Sequence, residues 1–159
     1  MKRAFSLNTI LGLIFGLMLM VPAVCYAGGS SKASVLDIRG EAMFMKAGAS
    51  VWDRLESTTI LKEGDSIKTS PGSEVLLELT GNFKTAELTV KEGTEFKFDT
   101  FRFDEAAKSD NTLLNIGVGS ILVKAEKLVG DSKFQVKTPV SIVGIRGTIF
   151  EVNVPKPKA

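Results

Sequence analysis

Ala86-Glu87-Leu88-Thr89-Val90-Lys91, then Glu92-Gly93-Thr94, then Glu95-Phe96-Lys97-Phe98-Asp99: in two runs every second residue is apolar, and a glycine-bearing turn separates them. Alternation with a period of two puts apolar side chains on one face and charged ones on the other, the pattern of a strand with one wet side. Val75, Leu77 and Leu79 against Glu74 and Glu78 repeat it upstream, and Leu36, Ile38, Ala42 and Phe44 against Asp37, Arg39 and Glu41 repeat it again, with Gly40 marking a bulge or bend. Downstream of Phe98 the apolar parity flips to Phe101 and Phe103, so a kink is expected near Thr100.

Further strands are expected at 113–118, 120–125, 133–138, 140–143 and 148–154, punctuated by Gly64-Asp65, Gly81-Asn82, Gly93, Gly117, Gly119 and Gly130-Asp131. Residues 104–112 are polar and read as a surface loop with one helical turn, and Gly117-Val118-Gly119-Ser120 reads as a tight turn between strands. The fold class that follows is all-β: a twisted roll, a short solenoid-like winding or a sandwich. A faint echo, Leu61-Lys62-Glu63-Gly64 and Val90-Lys91-Glu92-Gly93, fits a few unequal winding turns.

Residues 1–27 have the makeup of an export signal: Lys2 and Arg3, the 15-residue apolar stretch Ile10 to Val24, and the exit Cys25-Tyr26-Ala27. The stretch falls short of the roughly 20 residues a spanning helix prefers, and Pro22 breaks it near the exit. Cleavage after Ala27 is expected, with an uncleaved inner-membrane anchor as the alternative; the bulky Val24 before Cys25 argues against lipid attachment. The mature form is then periplasmic or secreted and not membrane-spanning, and has no cysteine. Residues 28–34 form a Gly/Ser lead-in, 35–154 one β domain and 155–159 a proline-bearing tail.

Without Lys2 and Arg3 the 20 basic residues become 18, matching the 18 acidic ones. A neutral domain without a basic stripe gives no reason to expect nucleic acid as a partner. The chain has no histidine, which removes the commonest general base and the commonest transition-metal ligand. No metal, cofactor or catalytic residue is expected, and the protein is read as a non-enzyme. Glu74, Glu78, Glu87 and Glu95 alternate with apolar positions, so they are solvent-side charges rather than a hydrolytic pair. The acidic 104–110 stretch is a solvated loop on the same reasoning. Trp52 reads as a core or core-edge packer, the other possibility being an exposed ligand platform.

The segment Thr138-Pro139-Val140-Ser141-Ile142-Val143-Gly144-Ile145-Arg146-Gly147-Thr148-Ile149-Phe150 places two glycines around an arginine between apolar runs. Arg146 is expected to staple the C-terminal strand to backbone carbonyls or to Asp65; an anion grip is the alternative. The Thr138-Pro139 start followed by Gly144-x-Arg146-Gly147-Thr148-x-Phe150 resembles the FecR-type domain, named after the periplasmic part of the ferric-citrate signalling regulator. The similarity extends upstream through Gly64-Asp65 to Trp52 and Leu55. It implies an extracytoplasmic β-rich domain used in signalling or in cell-envelope proteins, with Gly64, Asp65, Thr138, Pro139, Gly144, Arg146, Gly147, Thr148 and Phe150 as structural motif positions.

Family members that regulate sigma factors carry a long cytoplasmic segment before a membrane helix, whereas nine residues precede the apolar run here, so a stand-alone copy is expected. The function expected is a binding or sensory module for an envelope protein or glycan. A scaffold role in the envelope is the alternative, and a part in sigma-factor signalling is a further one.

Overall fold

The computed structural model describes residues 31–156 other than 82, 83, 105, 129 and 148. The export signal and the first lead-in residues therefore lie outside the described residues. The described residues form twelve strands and no helix: β1 (Lys32–Arg39), β2 (Ala42–Met45), β3 (Asp53–Arg54), β4 (Ile60–Leu61), β5 (Ser66–Thr69), β6 (Glu74–Thr80), β7 (Lys84–Val90), β8 (Glu95–Asp104), β9 (Ser109–Ala125), β10 (Lys133–Lys137), β11 (Ile142–Ile145) and β12 (Ile149–Val154). Nine of them run antiparallel in the order β3-β2-β5-β8-β9-β7-β6-β1-β4. β10 joins β9 in parallel and carries β11, while β12 pairs antiparallel with β9. No helix among the described residues is long and apolar enough to cross a membrane.

The sheet curls because one strand serves two leaves. The N-terminal half of β9 pairs with β8 and β10; its C-terminal half pairs with β7 and β12. Leaf A is thus β4-β1-β6-β7-β9-β12, and leaf B is β3-β2-β5-β8-β9-β10-β11. At the corner Gly119 takes φ +102°, where an added Cβ would fall on the Cα and side chain of Thr94. Thr94 accepts there from the Ser120 amide at 2.9 Å, donates to the Ser120 carbonyl at 3.0 Å, and its own amide donates to Thr69 Oγ1 at 3.0 Å. Expected as a turn, the 117–120 segment is a bend within one 17-residue strand. Hydrogen bonding to leaf neighbours on both sides keeps the strand running, and the glycine supplies only the change of direction.

A second corner lies at Gly40 (φ +79°), between β1 in leaf A and β2 in leaf B; the Glu41 amide donates to Ser73 Oγ at 2.8 Å there. The bend expected at Gly40 is present, but the register shift of this strand lies at Val35/Asp37. That bulge reverses the parity, so Val35 is buried while Leu36 is 48 % exposed, contrary to its expected inward position. β1 also begins at Lys32, paired with Thr80, earlier than the lead-in boundary at residue 34.

Between the leaves, cross-strand rows of apolar side chains form the core. Val35, Leu77, Leu88, Val123 and Phe150 stand in register across leaf A, and Phe44, Ile67, Phe96 and Ile116 across leaf B. In β8 a register shift between Phe98 and Thr100 turns Phe96, Phe98, Phe101 and Phe103 inward despite their opposite parities, as the kink near Thr100 requires. The expected 104–112 loop is much shorter: β8 runs to Asp104 and β9 starts at Ser109. Among the described residues 106–108 form a turn and no helix; Asp104 Oδ1 accepts from the Ala106 and Ala107 amides at 2.9 Å each, and Lys108 takes φ 51° to close the hairpin. Asp and Ser at the hairpin ends continue the ladder because each has a backbone partner across it.

Candidate binding site at the open sheet edges

The motif residues fall into two groups. Gly64 and Asp65 close the turn before β5 and stitch it to the β8 bulge: the Gly64 amide donates to the Phe98 carbonyl at 2.7 Å, and the Phe98 amide to the Asp65 carbonyl at 3.0 Å. Glu63 accepts from the Phe101 amide at 2.8 Å, on the far side of the register shift. The buried Asp65 carboxylate accepts from the Ala47 amide at 2.8 Å and the Lys62 amide at 2.9 Å, tying two loops together. Removing it by Asp65→Ala leaves both donors to water and is expected to cost about 2 kcal/mol. Urea denaturation measures this, with Asp65→Asn expected to lose less.

The second group builds the C-terminal edge. Thr138 is buried and closes the β10–β11 hairpin: its amide donates to the Ser141 carbonyl at 2.8 Å, and its Oγ1 accepts from the Ser141 amide at 3.1 Å. Pro139 and Val140 form the exposed tip. β11 spans 142–145 rather than the expected 140–143, because the hairpin consumes residues 138–141. Gly147 takes φ +74° against the backbone of Lys127, and Gly144 has open space where a side chain would stand. Thr148 lies outside the described residues.

Arg146 is exposed and makes no hydrogen bond or ion pair among the described residues. The expected staple to Asp65 is therefore not formed; the turn between β11 and β12 interrupts the parity that placed Arg146 with Phe150 and Val152, and the Asp65 carboxylate is occupied by backbone donors.

β10 and β12 lie on the same side of β9, so β11 and β12 are the free edges of the two leaves on that side. Between them the core opens into a cleft of about 870 Å³. Val143 and Ile145 from leaf B and Phe150, Val152 and Val154 from leaf A line it, with Arg146 at its margin. Val140 (93 % exposed) also lines it, and Ile142 (59 %) and Ile149 (67 %) are exposed on the same two edge strands, so this end concentrates the exposed large apolar side chains of the described residues.

The opposite edges are blunted: β3 is two residues long and charged, Asp53-Arg54, and β4 has only two residues. β11, Ile142-Val143-Gly144-Ile145, has neither charge nor proline and β12 has one charge in six residues, which is how an edge looks when nothing prevents strand pairing. Sequence reading placed the motif here but missed the cleft, because openness depends on which strands lack a neighbour; the uncharged run 140–145 was the available signal.

The one charge of β12, Glu151, accepts from Lys91 Nζ at 2.7 Å and Ser120 Oγ at 2.9 Å. These hydrogen bonds and the Lys91 charge hold its carboxyl below the ordinary value of 4.5. The clip contributes above that ordinary value and is lost as pH falls through the lowered one. A carboxyl titration by NMR is expected to show the depression, and Lys91→Gln is expected to abolish most of it.

The carboxylates weighed as a catalytic pair lie on outward positions. Arg39 pairs with Glu74 at 3.3 Å and Lys124 with Glu87 at 3.7 Å, while Glu95 is exposed on the other leaf. No group of three or more metal-ligating side chains occurs among the described residues. Trp52 is half-buried, with Lys68 Nζ 4.2 Å from its ring centroid, and is not among the partly buried apolar residues packed against the core.

Residues 65–159 match the family model described as FecR protein, beginning at Asp65 and taking in the whole C-terminal edge. The match leaves out the upstream positions Trp52 and Leu55. No curated protein and no solved structure matches the chain. Since the model covers more than half of the sequence, the chain belongs to the FecR family, a module related to signalling.

Proposed function

We propose that the protein is a non-catalytic, extracytoplasmic binding module that takes an extended segment of a partner protein along the β11 and β12 edges. The observation that carries this is the contrast between blunted edges at β3 and β4 and bare ones at β11 and β12, with an apolar cleft between the latter. Strand addition supplies affinity through main-chain hydrogen bonds, and alternate side chains of the added strand would enter the cleft. Arg146 at its margin, without a partner among the described residues, complements an acidic residue flanking an apolar run. The basic and apolar N-terminal segment supports the location outside the cytoplasm.

A photo-crosslinking residue placed at Val143, and in a second variant at Val152, tests this in the producing cell. Adducts to an apolar, extended segment of another protein support the reading, with none from the same probe at Lys124 on the outer face of leaf A. Adducts only to a second copy would replace it by self-assembly into a scaffold, and adducts only to lipid or none at all would reject it.

A further inference from the structure

The geometry points to a second, independent site: the outer face of leaf B is a binding surface for an acidic polysaccharide. Strand register sets Arg102, Asn111 and Lys133 side by side across β8, β9 and β10, with Leu113 and Gln135 paired in the next row. These five residues line a groove of about 850 Å³ together with the rim of Phe103 and with Asp104, whose Oδ1 is taken up by the Ala106 and Ala107 amides. Lys97, Asn115 and Lys137 form a further row on the same face.

Charges on the two outer faces are handled differently. On leaf A the cations are matched apart from Lys32 at the start of β1: Arg39 with Asp37 and Glu74, Lys91 with Glu151, and Lys124 with Glu87. On leaf B, Lys97 meets Asp99 at 3.9 Å, but Arg102, Lys133 and Lys137 have no ion pair or hydrogen bond among the described residues. A chain that is close to neutral overall thus gathers, among the described residues of β8, β9 and β10, three unmatched cations against the one unpaired carboxylate of Glu95 on one face, an excess that neither composition nor any single segment displays.

The spacing selects the ligand. Arg102 and Lys133 are two strands apart, roughly 10 Å, and Lys133 and Lys137 are four residues along one strand, roughly 13 Å. Cations so dispersed suit repeated acids along a chain better than one small anion. Asn111 and Gln135 offer both donors and acceptors for hydroxyl groups, and Leu113 offers an apolar floor for the C–H face of a sugar ring. Nucleic acid would want exposed aromatic rings to stack on, and Phe103 is only 9 % exposed. A peptide strand would want a free backbone edge, whereas β9 is paired on both sides here.

The test uses the protein as its host exports it and three probes: oligogalacturonate, its methyl-esterified neutral form, and polyglutamate. Saturable binding of oligogalacturonate is expected, about tenfold or more weaker for the other two, with chemical-shift changes at the Asn111 and Gln135 side-chain amides. Arg102→Gln with Lys133→Gln is expected to weaken it about tenfold or more without moving the thermal midpoint, while Lys124→Gln leaves it unchanged. Equal binding of polyglutamate, no binding of oligogalacturonate, or undiminished binding by the double variant would each overturn the assignment. None of these results bears on the β11–β12 cleft, which this face does not share.

Discussion

Gly119→Val is expected to destabilise the domain by about 4 kcal/mol, enough to leave a domain of ordinary stability substantially unfolded. Two costs add. The φ of +102° is one a β-branched residue adopts only under strain, and the new side chain would collide with the backbone of Thr94 as well as its hydroxyl. Relief would require pulling β9 away from the 91–94 turn. That would break the hydrogen bonds joining Thr94 to Ser120 at the corner where leaf A becomes leaf B. Gly48 is the control: its φ is +75°, but nothing lies within 4 Å of an added Cβ. Gly48→Val carries the backbone strain alone and is expected to cost about 1–2 kcal/mol. Urea denaturation of the two variants separates them, and equal losses would show that the corner is not sterically closed.

Phe98→Ala is expected to cost about 3–5 kcal/mol. Phe98 is fully buried, edge-on to Phe96 at 5.2 Å between centroids and stacked with Phe101 at 5.2 Å. Its backbone is also where the Gly64-Asp65 turn is sewn to β8. Removing the ring opens a cavity beneath the register shift, at the point where three segments depend on one another. Phe98→Leu fills most of the volume and is expected to lose less than half as much. A loss confined to about 1 kcal/mol for the alanine variant would mean that the leaves collapse around the gap and that the aromatic row is not what holds them.

Alternation made much of this fold legible. Val75 to Leu79, Ala86 to Val90 and the flipped pair Phe96/Phe98 and Phe101/Phe103 report which side of each strand is buried, because one face of every leaf meets water. What alternation cannot report is a change of register that spends no special residue: the Val35/Asp37 bulge carries no glycine, and it turned Leu36 outward. Nor can it distinguish a glycine that ends a strand from one that bends it, which is why the Gly119 corner read as a turn. The site was half legible. The resemblance drew attention to 138–150, which lies within the family match, yet the role expected for Arg146 assumed that parity continued through Gly147, and the cation row on leaf B arises only when β8, β9 and β10 come into register.

In the proposed function β11 and β12 are edges that a partner covers. Amide hydrogen exchange read by mass spectrometry, on the purified protein and on the protein in the cells that produce it, measures that directly. Slower exchange across Ile142–Ile145 and Ile149–Val154 in the cell, with β3 and β4 unchanged, is the expected result. The same rates in both settings for these two strands would contradict it.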